Sequence, residues 1–367
     1  MHEELSGVWI MAYTTIDDPS AHFQTLLYTG DASSSLALTF SGNSNLQPDF
    51  VWNKERGGTA FHVVTDTSRG LTKNVYPNDT SVEENYTDRI LSIQSNGFTI
   101  GDDTDTMNKD SGTYVNWCWK SNGGTRTAYA ESGDNPAGGY QVNTTAGFSI
   151  VDWTGTGDAG GTVAHGLGAV PHVILVKCRN TAHDWAVFHH RNTSAPATDY
   201  LVLNENSATA DGVNKWNDTL PDSNNITLGD GGGVNANNQT HIAYVFTEKQ
   251  GYSRFGKLTG NGLTDGPFVY TGFKPAWVMI KEETAAGSWH IFDNKRKVGN
   301  VSDSIIYADL NNAEATSQTG NPIDIVSNGF KCRGGGNDTN LDTGTYVYLA
   351  FAESPFVSSK GVPTTAR

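Results

Sequence analysis

Twice in this sequence an aspartate stands three residues before an arginine, Asp66 with Arg69 and Asp293 with Arg296. A carboxylate beside a guanidinium can serve as an acid or base. It can equally be an ion pair that ties a strand to a loop. The ion pair is the preferred reading, because cleaving a glycosidic bond takes two carboxylates flanking it and no second one recurs near either pair. A third arginine, Arg191, has Phe188 at the same spacing, so the middle segment lacks the acid. Histidines are densest at His183, His189 and His190, around Asp184 and Trp185. Zinc needs three or four convergent nitrogen or sulfur ligands. These histidines fall beside positions that align with His62 and Trp289, and no cysteine or second histidine group has ligand spacing. The sequence also lacks a nucleophile elbow, a phosphate-binding glycine loop before a helix and a redox CxxC. It assigns no catalytic residue and no metal site.

Oxygen-rich loops are the remaining candidates. Gly101–Asp110 carries Asp102, Asp103 and Asp105, Gly229–Gln239 carries Asn235 and Asn237, and Gly334–Thr343 carries Asn337, Asp338 and Asn340. The first resembles a calcium loop in composition but lacks the glycine at the sixth position and the glutamate at the twelfth. Calcium is therefore the one cofactor these loops suggest, and only weakly. Their side chains differ while the flanking framework repeats, which suits contact loops on a fixed scaffold. Aspartate and asparagine also simply suit turns.

The framework occurs three times. A proline, a hydrophobic strand and a lysine six residues on read Pro48–Lys54, Pro171–Lys177 and Pro275–Lys281. Before each comes an apolar-Thr-Gly step: Tyr28-Thr29-Gly30, Trp153-Thr154-Gly155 and Leu258-Thr259-Gly260. After each lysine, 14 or 15 residues on, comes Arg69, Arg191 or Arg296. Toward the ends, 16 residues separate Phe98 from Tyr114, Leu228 from Tyr244 and Phe330 from Tyr346. Steps of 123 and 104 residues between the prolines exceed solenoid periods of about 20–50, so each copy is a whole domain.

Short alternating runs mark the first copy's strands at 25–28, 50–53, 61–64, 90–93, 98–100 and 114–119, with Asn96-Gly97 as a hairpin turn. Helix signals are scarce. The expected fold is all-β, three tandem β-sandwich or jelly-roll-like domains at 23–120, 147–246 and 256–353. Residues 1–22 read as an N-terminal arm, 121–146 and 247–255 as linkers, and 354–367 as an extended tail. Trp52 and Trp277 occupy different positions of the same parity, which predicts that both face one side of their sheets. Lys54, Lys177 and Lys281 are expected to reach from the strand ends to solvent. The tryptophans and tyrosines of these strands are expected to pack rather than stack on sugars.

Composition agrees. The 41 glycines suit many turns, and nine Trp, 14 Tyr and 15 Phe supply a core. A net charge of −15 with scattered Lys and Arg disfavours nucleic acid or an anionic membrane as partner. No stretch has the roughly 18 apolar residues of a membrane span. Three cysteines at non-equivalent places give no disulfide framework and fit assembly in a reducing cytosol. Met11 offers a second start, so residues 1–10 read as a product of start-site choice.

Gln47–Trp52, Thr162–Gly168, Thr271–Val278, Ser327–Lys331 and Tyr348–Phe356 resemble a β-rich domain of uncharacterised function in tailed bacteriophages, abundant in marine phages on tail fibres, head fibres and other virion-surface proteins. The resemblance runs from Ala12 onward. It implies a non-enzymatic structural protein of the virion surface, assembled in the host cytoplasm on other virion proteins and offering loops to a host glycan. It also suggests a homo-oligomer, with a trimer preferred over a single chain of pseudo-threefold shape. A polysaccharide depolymerase or a free lectin is the alternative.

Overall fold

In the computed structural model, which describes residues 13–364, the Thr-Gly strand, the proline strand and the closing strand meet in one sheet three times. The first sheet runs Phe23–Thr29, Thr113–Trp119, Phe50–Glu55, Val63–Asp66. Next come Phe148–Thr154, Thr240–Phe246, Val173–Cys178, Ala186–His189, and then Ser253–Thr259, Thr345–Pro355, Phe273–Glu282, His290–Asp293. All neighbours are antiparallel, and the order within each unit is the same: opening, closing, proline and following strand. A smaller antiparallel sheet accompanies each. It comprises Leu36–Thr39, Gly97–Ile100 and Ile90–Gln94 in the first unit, and Thr162–Ala164 with Asn225–Thr227 in the second. In the third it comprises Phe268–Tyr270, Gly329–Cys332 and Ile323–Val326. The chain is all-β apart from single-turn helices.

Strand periodicity sends alternate side chains to opposite faces, and here both faces of the main sheets are buried. In the first unit Leu26, Val51 and Cys118 point toward Leu38, Phe98 and Ile100 of the small sheet. In the second, Val151, Ile174 and Val245 point toward Val163 and Ile226. The opposite faces of all three units join one shared core containing Phe50, Trp52, Val173, Leu175, Trp277 and Met279. Trp52 and Trp277 thus lie on the same side, as their parity predicts. At its middle, Trp119, Phe246 and Phe351 lie opposite Phe50, Val173 and Trp277 in equivalent registers. Their ring centroids are 5.3, 5.6 and 6.3 Å apart. Burial on both faces explains why the proline strands read as continuous apolar runs.

The units close into a ring. Trp185 of the second donates its indole N–H to the Tyr76 carbonyl of the first at 2.8 Å. Trp289 of the third donates to Val202 of the second at 2.8 Å. His62 of the first, in the equivalent place, sets Nε2 2.9 Å from the Tyr307 carbonyl of the third. Backbone bonds repeat the cycle: Glu83 N–H to Arg179 O, Thr209 to Glu283 and Glu314 to Arg56.

Several expected boundaries move. Segment 121–146 is no linker, since Thr127–Tyr129 and Gly138–Asn143 extend the second main sheet. Its glycines hid this from pattern reading, yet they permit the pairing: a Cβ at Gly138 would stand 2.3 Å from the Asp152 carbonyl. The third unit begins at Ser253 rather than 256, because Ser253 already pairs with Phe351. The tail is not simply extended. Strand Thr345–Pro355 runs into it, and it then folds back through Thr364 N–H to Phe356 O. In the N-terminal arm, the Tyr13 hydroxyl bonds the third unit's Gly272 carbonyl at 2.8 Å. Residues 1–10 lie outside the described residues.

Candidate functional site

The three oxygen-rich loops are not hairpin tips. Each crosses from the small sheet to the closing strand of the main one, and one asparagine pins each crossing. Asn108, Asn235 and Asn340 all stand five residues before the closing strand's first threonine. Asn108 Oδ1 accepts the N–H of Asp31 at 2.9 Å, and its amide donates to the carbonyls of Ser33 and Gly101. Asn235 accepts from Thr156 and donates to Asp158. Asn340 accepts from Asn261 at 2.8 Å and donates to Leu263 and Gly334, both at 2.8 Å. The Thr-Gly step exists for this contact. A Cβ on Gly30, Gly155 or Gly260 would meet a loop carbonyl at 2.3, 2.3 or 2.1 Å, below any tolerated separation.

This placement divides the predicted loop residues. Asn235 and Asn340 are fully buried, with their amides committed, so neither can meet a sugar or an ion as expected. Asp103 is also buried. It pairs with Arg89 at 2.6 Å and caps the N–H groups of Asp105 and Thr106. Half-buried Asp338 accepts the Ser288 N–H. Asp102, Asp105, Asn237 and Asn337 are exposed. Burial was hidden because Asn and Asp serve turns and latches with the same atoms. Among the described residues no three His, Cys, Asp or Glu side chains gather as a metal site.

Asp66 and Asp293 sit at ring joints, their side chains fully enclosed. Arg69 holds Asp66 at 2.5 Å, and the Tyr244 hydroxyl of the second unit donates to the same carboxylate at 2.7 Å. Arg296 holds Asp293 at 2.5 Å, and Trp117 of the first unit donates its indole N–H at 3.0 Å. A glutamate bridges each joint. Glu83 accepts from Arg69 and from the second unit's Arg179, and Glu314 from Arg296 and the first unit's Arg56. The aspartates are therefore sealed latches between units, with no approach for a substrate. Sequence reading missed Glu83, Glu314, Arg56 and Arg179. The recurrence of Lys-X-Arg at Lys54–Arg56 and Lys177–Arg179 was the available signal.

In the second unit, strand register corrects the alignment. Phe50, Val173 and Trp277 pair with Asp66, His189 and Asp293, so His189 rather than Phe188 takes the aspartate's place. Asn192, not Arg191, takes the arginine's. The 16-residue match at Tyr244 is likewise accidental. His241 faces the Thr-Gly strand as Tyr114 and Tyr346 do, whereas Tyr244 pairs with Ile150.

The repeated lysines do not reach solvent. Lys54, Lys177 and Lys281 are fully buried and donate to carbonyls: Glu55 and Gly58, Thr80 and His183, Asn206 and Glu282. Lys177 thereby holds the first unit and Lys281 the second. Burial lowers each ammonium to about 8. An unfolded lysine keeps its proton to about 10.4, so the unfolded state binds more protons above pH 8 and stability rises with pH there. Urea midpoints should increase from pH 8 to 9, and less in Lys281→Met. An identical increase in that variant would mean Lys281 does not contribute.

The three cysteines are free and buried, and burial pushes the Cys332 thiol up to about 12. A surface groove of about 910 Å³ lies where the third unit meets the first, lined by Asn43, Lys274, Asn294, Lys297, Asn300 and Glu353 among others. Lys274 pairs with Glu353 there at 2.6 Å. No predicted loop residue lines it.

Three β-units in a ring, latched by buried ion pairs and pinned loops, define a scaffold whose clustered polar groups hold the scaffold itself. The chain belongs to a family of domains of unknown function, DUF7483, whose model matches residues 18–355 in one span covering all three units. No curated protein and no solved structure matches it.

Proposed function

We propose that this chain is a structural protein of a tailed-phage virion surface, a fibre, spike or decoration element that presents loops to its surroundings. The observation that carries the reading is ring closure. Three tandem copies of one two-layer β-sandwich unit spend their titratable clusters on joining each other, an investment in a rigid threefold-like body. The resemblance of Thr271–Val278 and Tyr348–Phe356 to phage surface domains supports the location. One chain provides the threefold-like shape that a homotrimer would otherwise build. In place of the trimer that the sequence suggested, the expected solution state is therefore a monomer, and light scattering showing a stable trimer would contradict it.

Contact with a host glycan or a neighbouring virion protein would fall to the exposed Asp102, Asp105, Asn237 and Asn337. Many copies on one particle would raise weak binding through avidity. Alanine at these four positions should change stability by less than about 0.5 kcal/mol while reducing adsorption. Electron microscopy of particles labelled with an antibody to this chain tests the location, and a chain absent from purified virions ends the proposal.

A further inference from the structure

We propose that the joint between the second and third units is an acid-sensitive hinge, where the ring opens first as pH falls, because imidazoles stand there in place of a carboxylate–guanidinium latch. At the other two joints, Asp66 with Arg69 and Asp293 with Arg296 are each satisfied by a donor from the facing unit and by a bridging glutamate. At this joint His189 replaces the aspartate, Asn192 the arginine, and Leu349 the facing Tyr244 or Trp117, by strand register. The glutamate of the third unit, Glu283, forms its ion pair within its own unit, with Lys257, and its carboxylate meets the second unit through the Thr193 backbone N–H at 3.4 Å. His189 Nε2 instead lies 3.3 Å from the third unit's Tyr348 backbone carbonyl.

Three imidazoles collect at the joint. The rings of His172 and His190 are 4.5 Å apart, and those of His189 and His190 5.5 Å. His190 Nε2 lies 2.7 Å from the Phe255 carbonyl on the third unit's opening strand. Two of the rings already accept backbone protons: His189 Nδ1 takes the Arg191 N–H at 3.1 Å, and His172 Nδ1 the Glu248 N–H at 3.2 Å. A proton added at either Nδ1 faces an N–H, so that backbone bond must break. The Glu248 bond lies in the short connection between the two units.

The charged neighbours do not rescue protonation. Arg191 and Arg254 flank the rings, and both oppose a positive charge on His172. Glu248 is 4.0 Å from both His172 and His190, but it is already engaged by Arg254 at 3.0 Å and by the Phe255 N–H at 2.8 Å. Burial holds His172 and His190 down to about 4 and the deeper His189 to about 3. His62, at the joint of the third and first units, is also held at about 3. His172 and His190 therefore titrate before the imidazole of that joint. An unfolded histidine takes its proton near 6.5. The stability these groups contribute is complete above that value and is lost as pH falls toward 4.

Three equivalent amides give the readout. Thr209 reports the hinge through its bond to Glu283, Glu83 the first joint and Glu314 the ring closure. Hydrogen exchange on the full chain, corrected for intrinsic rate, should show Thr209 protection falling at least tenfold between pH 7 and 4.5. Glu83 and Glu314 should hold theirs. In His172→Gln/His190→Gln, which keeps an amide donor for Phe255, the fall should shift to lower pH. Equal and simultaneous loss at all three amides, or an unchanged fall in the variant, overturns the proposal. Should the variant fail to fold, histidine ring resonances of the native chain decide. Titration of His172 and His190 without any change at Thr209 equally overturns it.

Discussion

Replacing Arg296 by methionine should lower the stability of the folded chain by about 3–5 kcal/mol, the usual cost of removing one member of a buried ion pair. The guanidinium donates to Asp293 at 2.5 Å, to Glu314 at 2.9 Å and to the Ile291 carbonyl at 2.8 Å, with its side chain fully enclosed. Without it the enclosed Asp293 loses its only cation among the described residues and Glu314 keeps Arg56 alone, at the one joint that neighbours in sequence do not hold together. Arg191→Met is the control. Arg191 resembles Arg296 in the sequence repeat but is exposed and forms no latch, so its loss should cost less than about 0.5 kcal/mol. Urea midpoints of the two variants check this. Equal midpoints would show that the closure does not depend on the ion pair.

The second large effect is expected at Asn340. Alanine there strands the buried carbonyl of Gly334, the part-buried carbonyl of Leu263 and the part-buried Asn261 N–H, all bonded at 2.8 Å. Unsatisfied buried groups cost about 1–3 kcal/mol each, and partial relaxation brings the expected loss to about 2–4 kcal/mol. Asn340→Asp should be worse than alanine, because it sets an anion against two carbonyl oxygens. Asn337→Ala, three residues away and exposed, should be neutral. Thermal unfolding of the three variants orders them, and an aspartate milder than alanine would refute the latch geometry.

These outcomes rest on information the sequence carried unevenly. Repetition exposed the units, and local alternation placed the six strands it marked in the first unit within two residues of their observed ends, since side-chain direction in a strand depends only on parity, though it missed Leu36–Thr39. The shared side of Trp52 and Trp277 followed from the same rule. Chemistry at the joints was less legible. A fixed offset equated Phe188 with Asp66 and Leu228–Tyr244 with the sheet-to-sheet crossings of the other units, but loops of unequal length shift offsets while hydrogen-bond register does not. Lys54, Lys177 and Lys281 read as ordinary strand-end lysines, because nothing nearby in the chain shows that another unit covers two of them. Asn340 and Asn337 look alike in sequence, and one is sealed while the other meets solvent. The sequence alone determined an all-β chain built three times on one pattern. Tertiary structure decided that the third unit returns to the first, because closing that contact brings together residues hundreds of positions apart, such as Trp117 and Asp293. That closure buries the face of each main sheet that its own small sheet leaves open.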